Sequence, residues 1–339
     1  MIGGEFDIDI TRIRNAVNTG FADNIAAYSS GRSALYNILA DVRRKHGSGT
    51  VILPDYLCSS ILVSVKHAGM QYVFCPIDDS LEFDRSQFSA VYKPGYAVLM
   101  INYFGLMDLS SQVRFIRSTD PAAIIIEDDV QAYYEFTGPL AGVDYKFTSL
   151  RKTFAVPDGG LAVCAEGHLD ERQSEGSFYK YKMAGSVLKA NRNPLLYNDE
   201  IYLKLFEKGE ECIDLDLESR MSEISRRLFG DIDASRVAYI RNRNAGYILA
   251  GLKSMGIEPI LPISEDKVPL FVPVWLKDRN KVRKNMFKHD VYCPYHWPID
   301  GLPLAKGKEM SEHELSIIID QRYGHVDMDL ILNLISDSL

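Results

Sequence analysis

The chain has 339 residues, 46% hydrophobic and 25% charged, so it can bury a sizeable core and is composed like a soluble globular protein rather than a disordered one. A formal charge of −8 argues against a general nucleic-acid binder, which needs a basic surface to neutralise phosphates. The five cysteines, Cys58, Cys75, Cys164, Cys212 and Cys293, are odd in number with no CxxC pair, and the seven histidines are dispersed, so neither a disulfide framework nor a metal site is expected.

The opening MIGGEFDIDITRIRN is acidic and has no continuous apolar run, and no later stretch has the uncharged length of a membrane span. A cytoplasmic protein without a membrane partner is the expectation. From about Ala26 to Val163, β-rich runs alternate with helix-like segments, the pattern of a mostly parallel sheet with crossover helices. The expected strands are Thr50 to Leu53, Gln71 to Cys75, Ala97 to Ile101, Ala122 to Ile126, Tyr145 to Ser149 and Leu161 to Cys164. Ser33 to Lys45, Ser59 to His67 and Ser110 to Ile116 carry apolar residues at helical spacing. A polar, helix-favouring stretch follows from His168 to Arg227, and then a helix from about Ser235 to Met255. The tail reads as strand (Pro269 to Trp275), helix (Asp278 to His289), strand (Ser316 to Ile319) and helix (Met328 to Ser338). The fold expected is α/β: a three-layer sandwich with a mostly parallel central sheet, plus a smaller C-terminal α/β domain. The division expected is 1–215 for the large unit with its N-terminal arm and 216–339 for the small one.

Three segments carry candidate chemistry. Ile124-Ile-Ile-Glu-Asp-Asp-Val-Gln131 runs from a buried strand into three carboxylates, where open α/β sheets place ligands. A helix N-terminus, where acidic residues favour the dipole, is the competing reading. Thr148-Ser-Leu-Arg-Lys-Thr-Phe-Ala-Val-Pro-Asp-Gly-Gly160 puts Lys152 between two strands. Enclosure in a cleft and the neighbouring Arg151 would lower the basicity of that amine and suit it to attack an aldehyde; otherwise it is a solvated loop lysine. Ser29-Ser-Gly-Arg-Ser-Ala-Leu35 opens a helix, and its free N–H groups suit a phosphate. Ser29 or Ser30 acting only as an N-cap is the alternative.

In this order the segments resemble the DegT/DnrJ/StrS family of PLP-dependent sugar aminotransferases, which have the aspartate-aminotransferase fold. Gly31-Arg-Ser-Ala-Leu35 is similar to the family's phosphate turn and Val51-Ile-Leu-Pro-Asp-Tyr56 to its VxxPxY segment. Asn102-Tyr-Phe-Gly105, Ile126-Glu-Asp-Asp-Val-Gln131, Ser149 to Lys152 with Gly159-Gly160, and Ser219-Arg-Met-Ser222 follow.

The resemblance implies an enzyme with pyridoxal 5′-phosphate as cofactor. Lys152 would carry the cofactor and later act as general base, while Asp128 would pair with the pyridinium nitrogen and Gln131 with the ring's 3′-oxygen. In the turn that Gly31 opens, the backbone amides of Arg32 and Ser33, with the Ser149 hydroxyl, would hold the phosphate. Cys58 or Tyr56 would face the ring. It further implies transamination from L-glutamate to a keto-sugar nucleotide, in a homodimer that shares its pockets. Another PLP reaction, such as a lyase, and a non-catalytic relative are the competing functions.

Two departures stand out. Ser149 lies three positions before the lysine, where relatives usually have five, and Glu218 stands where the family commonly has the asparagine that reaches the partner's phosphate, leaving Arg220 as the alternative. Val291-Tyr-Cys-Pro-Tyr-His-Trp-Pro298 is similar to a Pro-x-His loop at the family's substrate mouth. His296 and Trp297 are therefore substrate candidates, with domain packing as the other reading. Arg241 and Arg243 are open in the same way.

Overall fold

The computed structural model describes residues 1–12, 20–193, 198–298, 302 and 304–339. Its elements run β1 (Ile2–Gly3), β2 (Ala26–Tyr28), α1 (Gly31–His46), β3 (Thr50–Pro54), α2 (Ser59–His67), β4 (Gln71–Cys75) and α3 (Arg85–Val91). Next come β5 (Ala97–Ile101), α4 (Ser110–Thr119), β6 (Ile124–Asp128), α5 (Tyr133–Phe136), β7 (Tyr145–Ser149), α6 (Leu150–Thr153) and β8 (Gly160–Cys164). The second half holds α7 (Phe178–Ala190), α8 (Glu200–Ile213), α9 (Glu223–Gly230), α10 (Ala234–Ser254), β9 (Phe271–Trp275) and α11 (Arg279–Lys288). It closes with β10 (Val291–Tyr292), α12 (Ala305–His313), β11 (Glu314–Ile318) and α13 (His325–Ser336).

Seven strands form the main sheet in the order β2-β8-β7-β6-β5-β3-β4. β7, β6, β5, β3 and β4 are parallel neighbours, whereas β8 runs against both β7 and β2. β5 is apolar on both faces, as a strand covered on two sides must be, and all five of its residues are buried. The expected α/β architecture is present, and β4, β5, β7 and α2 have the expected bounds.

β6 starts two residues later than expected and takes in Glu127 and Asp128. Asp120 is the cause: its side chain accepts the Ala122 N–H at 2.8 Å and its carbonyl the Ala123 N–H at 3.1 Å, so a turn holds residues 120–123. Pairing of Ile101 with Asp128 then carries the strand through the carboxylates, which excludes the helix N-terminus reading.

The polar 168–227 stretch holds α7, α8 and the start of α9, while residues 194–197 of it lie outside the described residues. The tail forms a two-stranded antiparallel sheet of β9 and β11 whose core shares Ile248, Leu252, Val282, Leu315, Met328 and Ile331 with the surrounding helices. Ile2 joins that core because β1 pairs in parallel with β10. Another apolar cluster joins Leu150, Phe154 and Leu161 to Met221, Leu228 and Val237.

Candidate active site

Strands β2, β3, β6 and β7 end at one edge of the sheet, and reversed β8 begins there. A cavity of about 580 Å³ opens at this edge, with Gly31, Arg32, Cys58, Asp128, Gln131, Ser149, Lys152, His296 and Trp297 in its wall. Nine of the residues proposed from sequence are thus brought together; Ser33, Tyr56 and Arg220 are not among the lining residues.

At the start of α1, Ser30 is the N-cap. Its hydroxyl accepts the Ser33 N–H at 3.1 Å and its carbonyl accepts the Ala34 N–H at 2.8 Å. Ser33 is therefore committed to the cap, and the N–H groups of Gly31 and Arg32 are the ones left in the first turn for a ligand. The Ser33 hydroxyl likewise turns inward, to the Leu217 carbonyl at 2.5 Å. A Cβ on Gly31 would stand 3.2 Å from the Ser149 Cβ, so the serine lies beside the turn despite its shortened spacing to the lysine. Gly160 allows β8 to press against this turn: a Cβ there would meet the Ser30 carbonyl oxygen at 2.0 Å.

The three consecutive carboxylates separate by strand alternation. Glu127 and Asp129 face Lys146, at 3.3 and 3.8 Å, while Asp128 faces the cavity. One oxygen of Asp128 accepts the Val130 N–H at 2.9 Å. Burial pushes its carboxyl up to about 7, against the downward pull of that N–H and of the Lys152 charge. A buried carboxyl poised near neutrality with acceptor capacity to spare suits a cationic ring N–H.

Gln131 Oε1 accepts the Phe104 N–H at 2.9 Å, which fixes the amide so that its NH2 is the end left for a ligand. Lys152, on α6, lines the same cavity as Asp128. Its side chain is exposed rather than enclosed, contrary to the expected desolvated amine. Arg151 does not face it as a bare cation either: it pairs with Glu210 at 3.3 Å and lies over the Phe178 ring.

Cys58 is in the cavity wall, whereas Tyr56 is not. Tyr56 is fully buried, stacks on Tyr103 at 5.1 Å, backs Trp297 at 4.9 Å and donates its hydroxyl to the His296 carbonyl. It supports the aromatic mouth and does not face a ring in the cavity. His296 is oriented by Ser316 at 2.9 Å on Nδ1 and by Glu314, which accepts its backbone N–H at 2.7 Å. Arg220 points elsewhere, to Glu175 at 3.0 Å and the Gln173 carbonyl, and Glu218 accepts the Tyr36 hydroxyl.

Several wall residues had no signal in the sequence: Glu5, Lys182, Glu210 and the Arg322–Asp320 pair; Arg241, left open by the sequence, lies in the wall too. Arg241 is buried, reaching the carbonyls of Leu270 and Thr153, whereas Arg243 is exposed on the same helix. Periodicity alone could have separated these two, since Arg241 shares the buried face of α10 with Val237, Ala245 and Ile248. Among the described residues no cluster of metal ligands occurs, and no helix is long and apolar enough to cross a membrane.

No family model and no curated protein sequence matches the chain. Solved structures do. A putative sugar aminotransferase, Spr1654 from Streptococcus pneumoniae, in its PLP form, is 15% identical with a TM-score of 0.65, over 93% of this chain and 88% of that one. The sugar aminotransferase CalS13 from Micromonospora echinospora is 12% identical with a TM-score of 0.65, again over 93% and 88%. A DegT DnrJ EryC1 StrS aminotransferase from Brucella abortus is 16% identical with a TM-score of 0.66, over 92% and 85%. Along more than nine-tenths of its length, then, this chain has the fold of those aminotransferases.

Proposed function

We propose that the protein is a PLP-dependent aminotransferase that moves an amino group from L-glutamate to a keto-sugar nucleotide. The observation that carries this is the convergence of Lys152, Asp128 and the open first turn of α1 on one cavity. The names of the structural neighbours, sugar aminotransferases with a PLP form among them, support the choice of cofactor and acceptor class.

The residues fit the group: a buried carboxyl with a free acceptor position, a fixed amide donor, an amine, and N–H groups at a helix start. When bound, PLP supplies an aldehyde and an electron-withdrawing ring. Asp128 would hold the proton on the ring nitrogen, and the Gln131 NH2 would orient the ring through its 3′-oxygen. The N–H groups of Gly31 and Arg32, with the Ser149 hydroxyl, would bind the phosphate. Lys152 Nζ would hold the cofactor through its aldehyde carbon, and as a free amine it would take up the proton at the donor's α-carbon. His296 and Trp297 position the sugar acceptor by hydrogen bonding and stacking. In this reading residues 1–215 hold the cofactor and 216–339 shape the acceptor side, the protein works as a cytoplasmic homodimer, and Arg220 serves the partner's pocket.

Borohydride reduction of the PLP-loaded protein followed by peptide mapping is expected to place the label on Lys152, and Lys152→Ala is expected to take none. Adding L-glutamate to the loaded protein is expected to bleach the cofactor's long-wavelength absorption. Label elsewhere overturns the site; an absorption indifferent to glutamate and to other amino acids overturns transamination.

A further inference from the structure

Residues 3–6 line the cavity as a strap fastened by its backbone. β1 is paired with β10, the Gly3 N–H donates to the Tyr323 hydroxyl at 2.7 Å, and Arg322 donates to the Gly4 and Glu5 carbonyls at 3.2 Å. Lys189 reaches the carbonyls of Gly3 and Glu5 as well. Gly3 has φ +104°, and a Cβ on it would meet the Tyr292 carbonyl oxygen at 2.8 Å, so this close, left-handed turn requires glycine. What the strap adds to the cavity is one carboxylate. Glu5 pairs with Lys182, whose side chain is 1% exposed, at 2.5 Å, and lies 3.9 Å from Arg151.

The same two cations hold Glu210, at 2.7 and 3.3 Å, and Glu210 is 3.4 Å from Arg32 on the first turn of α1. Arg32 is further matched by Asp214 at 2.8 Å. Three cations thus meet three carboxylates, all but Asp214 in the same cavity wall as Gly31 at the start of α1. A phosphate dianion arriving there would bring two negative charges to a cluster already neutral. Of the three carboxylates, Glu210 and Asp214 are set on or beside α8, which packs along α7; Glu5 is attached only to the strap.

We propose that Lys182, Arg151 and Arg32 form an anion subsite continuous with the start of α1, that Glu5 fills it as a tethered stand-in, and that an incoming phosphate monoester displaces the Glu5 carboxylate. The identity of the ester, PLP, rests on the reading given under Proposed function; the displacement itself does not. Phosphate binding and closure of the strap on Lys182 are then mutually opposed, and the coupling is reciprocal.

Isothermal titration of the full chain with inorganic phosphate tests this. Glu5→Gln, a change at a side chain already about one-third exposed, is expected to bind phosphate on the order of tenfold more tightly than the native protein. PLP is expected to gain similarly, pyridoxal and a nucleoside diphosphate not to gain. In the native protein, saturating phosphate is expected to speed amide hydrogen exchange at residues 3–6. Equal phosphate affinities, or a strap whose exchange is indifferent to phosphate, overturn the displacement; a gain confined to the diphosphate assigns the subsite to another ligand and overturns it too. If PLP is still trapped on Lys152 while phosphate affinity ignores Glu5, only the displacement falls. If Glu5→Gln tightens phosphate binding but no PLP is trapped, only the cofactor reading falls.

Discussion

Asp128 shows how one side chain links stability to chemistry. Its ordinary value of 3.8 is raised by burial to about 7, so the folded chain holds the proton more tightly than the unfolded one. Such a group imposes no electrostatic cost at pH values below its unfolded value, and its cost grows as pH rises from about 4 to 7 and is then constant. At about 1.4 kcal/mol per unit, the full cost is on the order of 4 kcal/mol. Asp128→Asn is therefore expected to melt above the native protein at pH 8 when cofactor-free, with the advantage fading towards pH 4. A pH-independent difference in thermal denaturation would contradict this. With cofactor, the same variant is expected to lose on the order of a hundredfold or more in kcat, because the proposed function has this carboxylate hold the ring proton. Asp128 was legible in the sequence because strand and carboxylate are neighbours in the chain. Glu5 and Lys182 were not, since the partners stand 177 positions apart and neither lies in a patterned segment.

Elements were legible to the degree that burial repeats along them. β5 is buried throughout and its apolar run reveals it, while β7, also buried throughout, shows only Tyr145 and Phe147 in alternation with polar residues. α3 buries only Phe88 and β1 has two residues, too few to set a period, so neither was foreseen. The start of β6 was misplaced because a side-chain turn at Asp120, not hydrophobicity, decides it. The joint between β8 and α1 gives a graded test. Ser30→Ala removes one cap and is expected to cost about 1 kcal/mol. Gly160→Ala sets a methyl against the Ser30 carbonyl oxygen and is expected to cost about 3 kcal/mol or more, both read by urea denaturation. Similar losses for the two would mean that the joint yields easily.

At the scale of the whole molecule, the C-terminal third reaches the lysine's own helix. Arg241 and Gln321 both donate to the Thr153 carbonyl, one residue beyond Lys152. The proposed homodimer predicts a sedimenting species of twice the 38.2 kDa chain mass, and Arg220→Ala is expected to weaken PLP binding in it. A monomer that retains full PLP affinity would remove the role given to Arg220. Residues 150–159, finally, close a hairpin whose ends are clamped by the Ser149 and Gly160 pairing and by the Leu150 N–H on the Gly159 carbonyl at 3.0 Å. An amine on so short a tether travels by rotation about its own side-chain bonds, a picosecond-to-nanosecond event, and has no need of the microsecond swing of a lid.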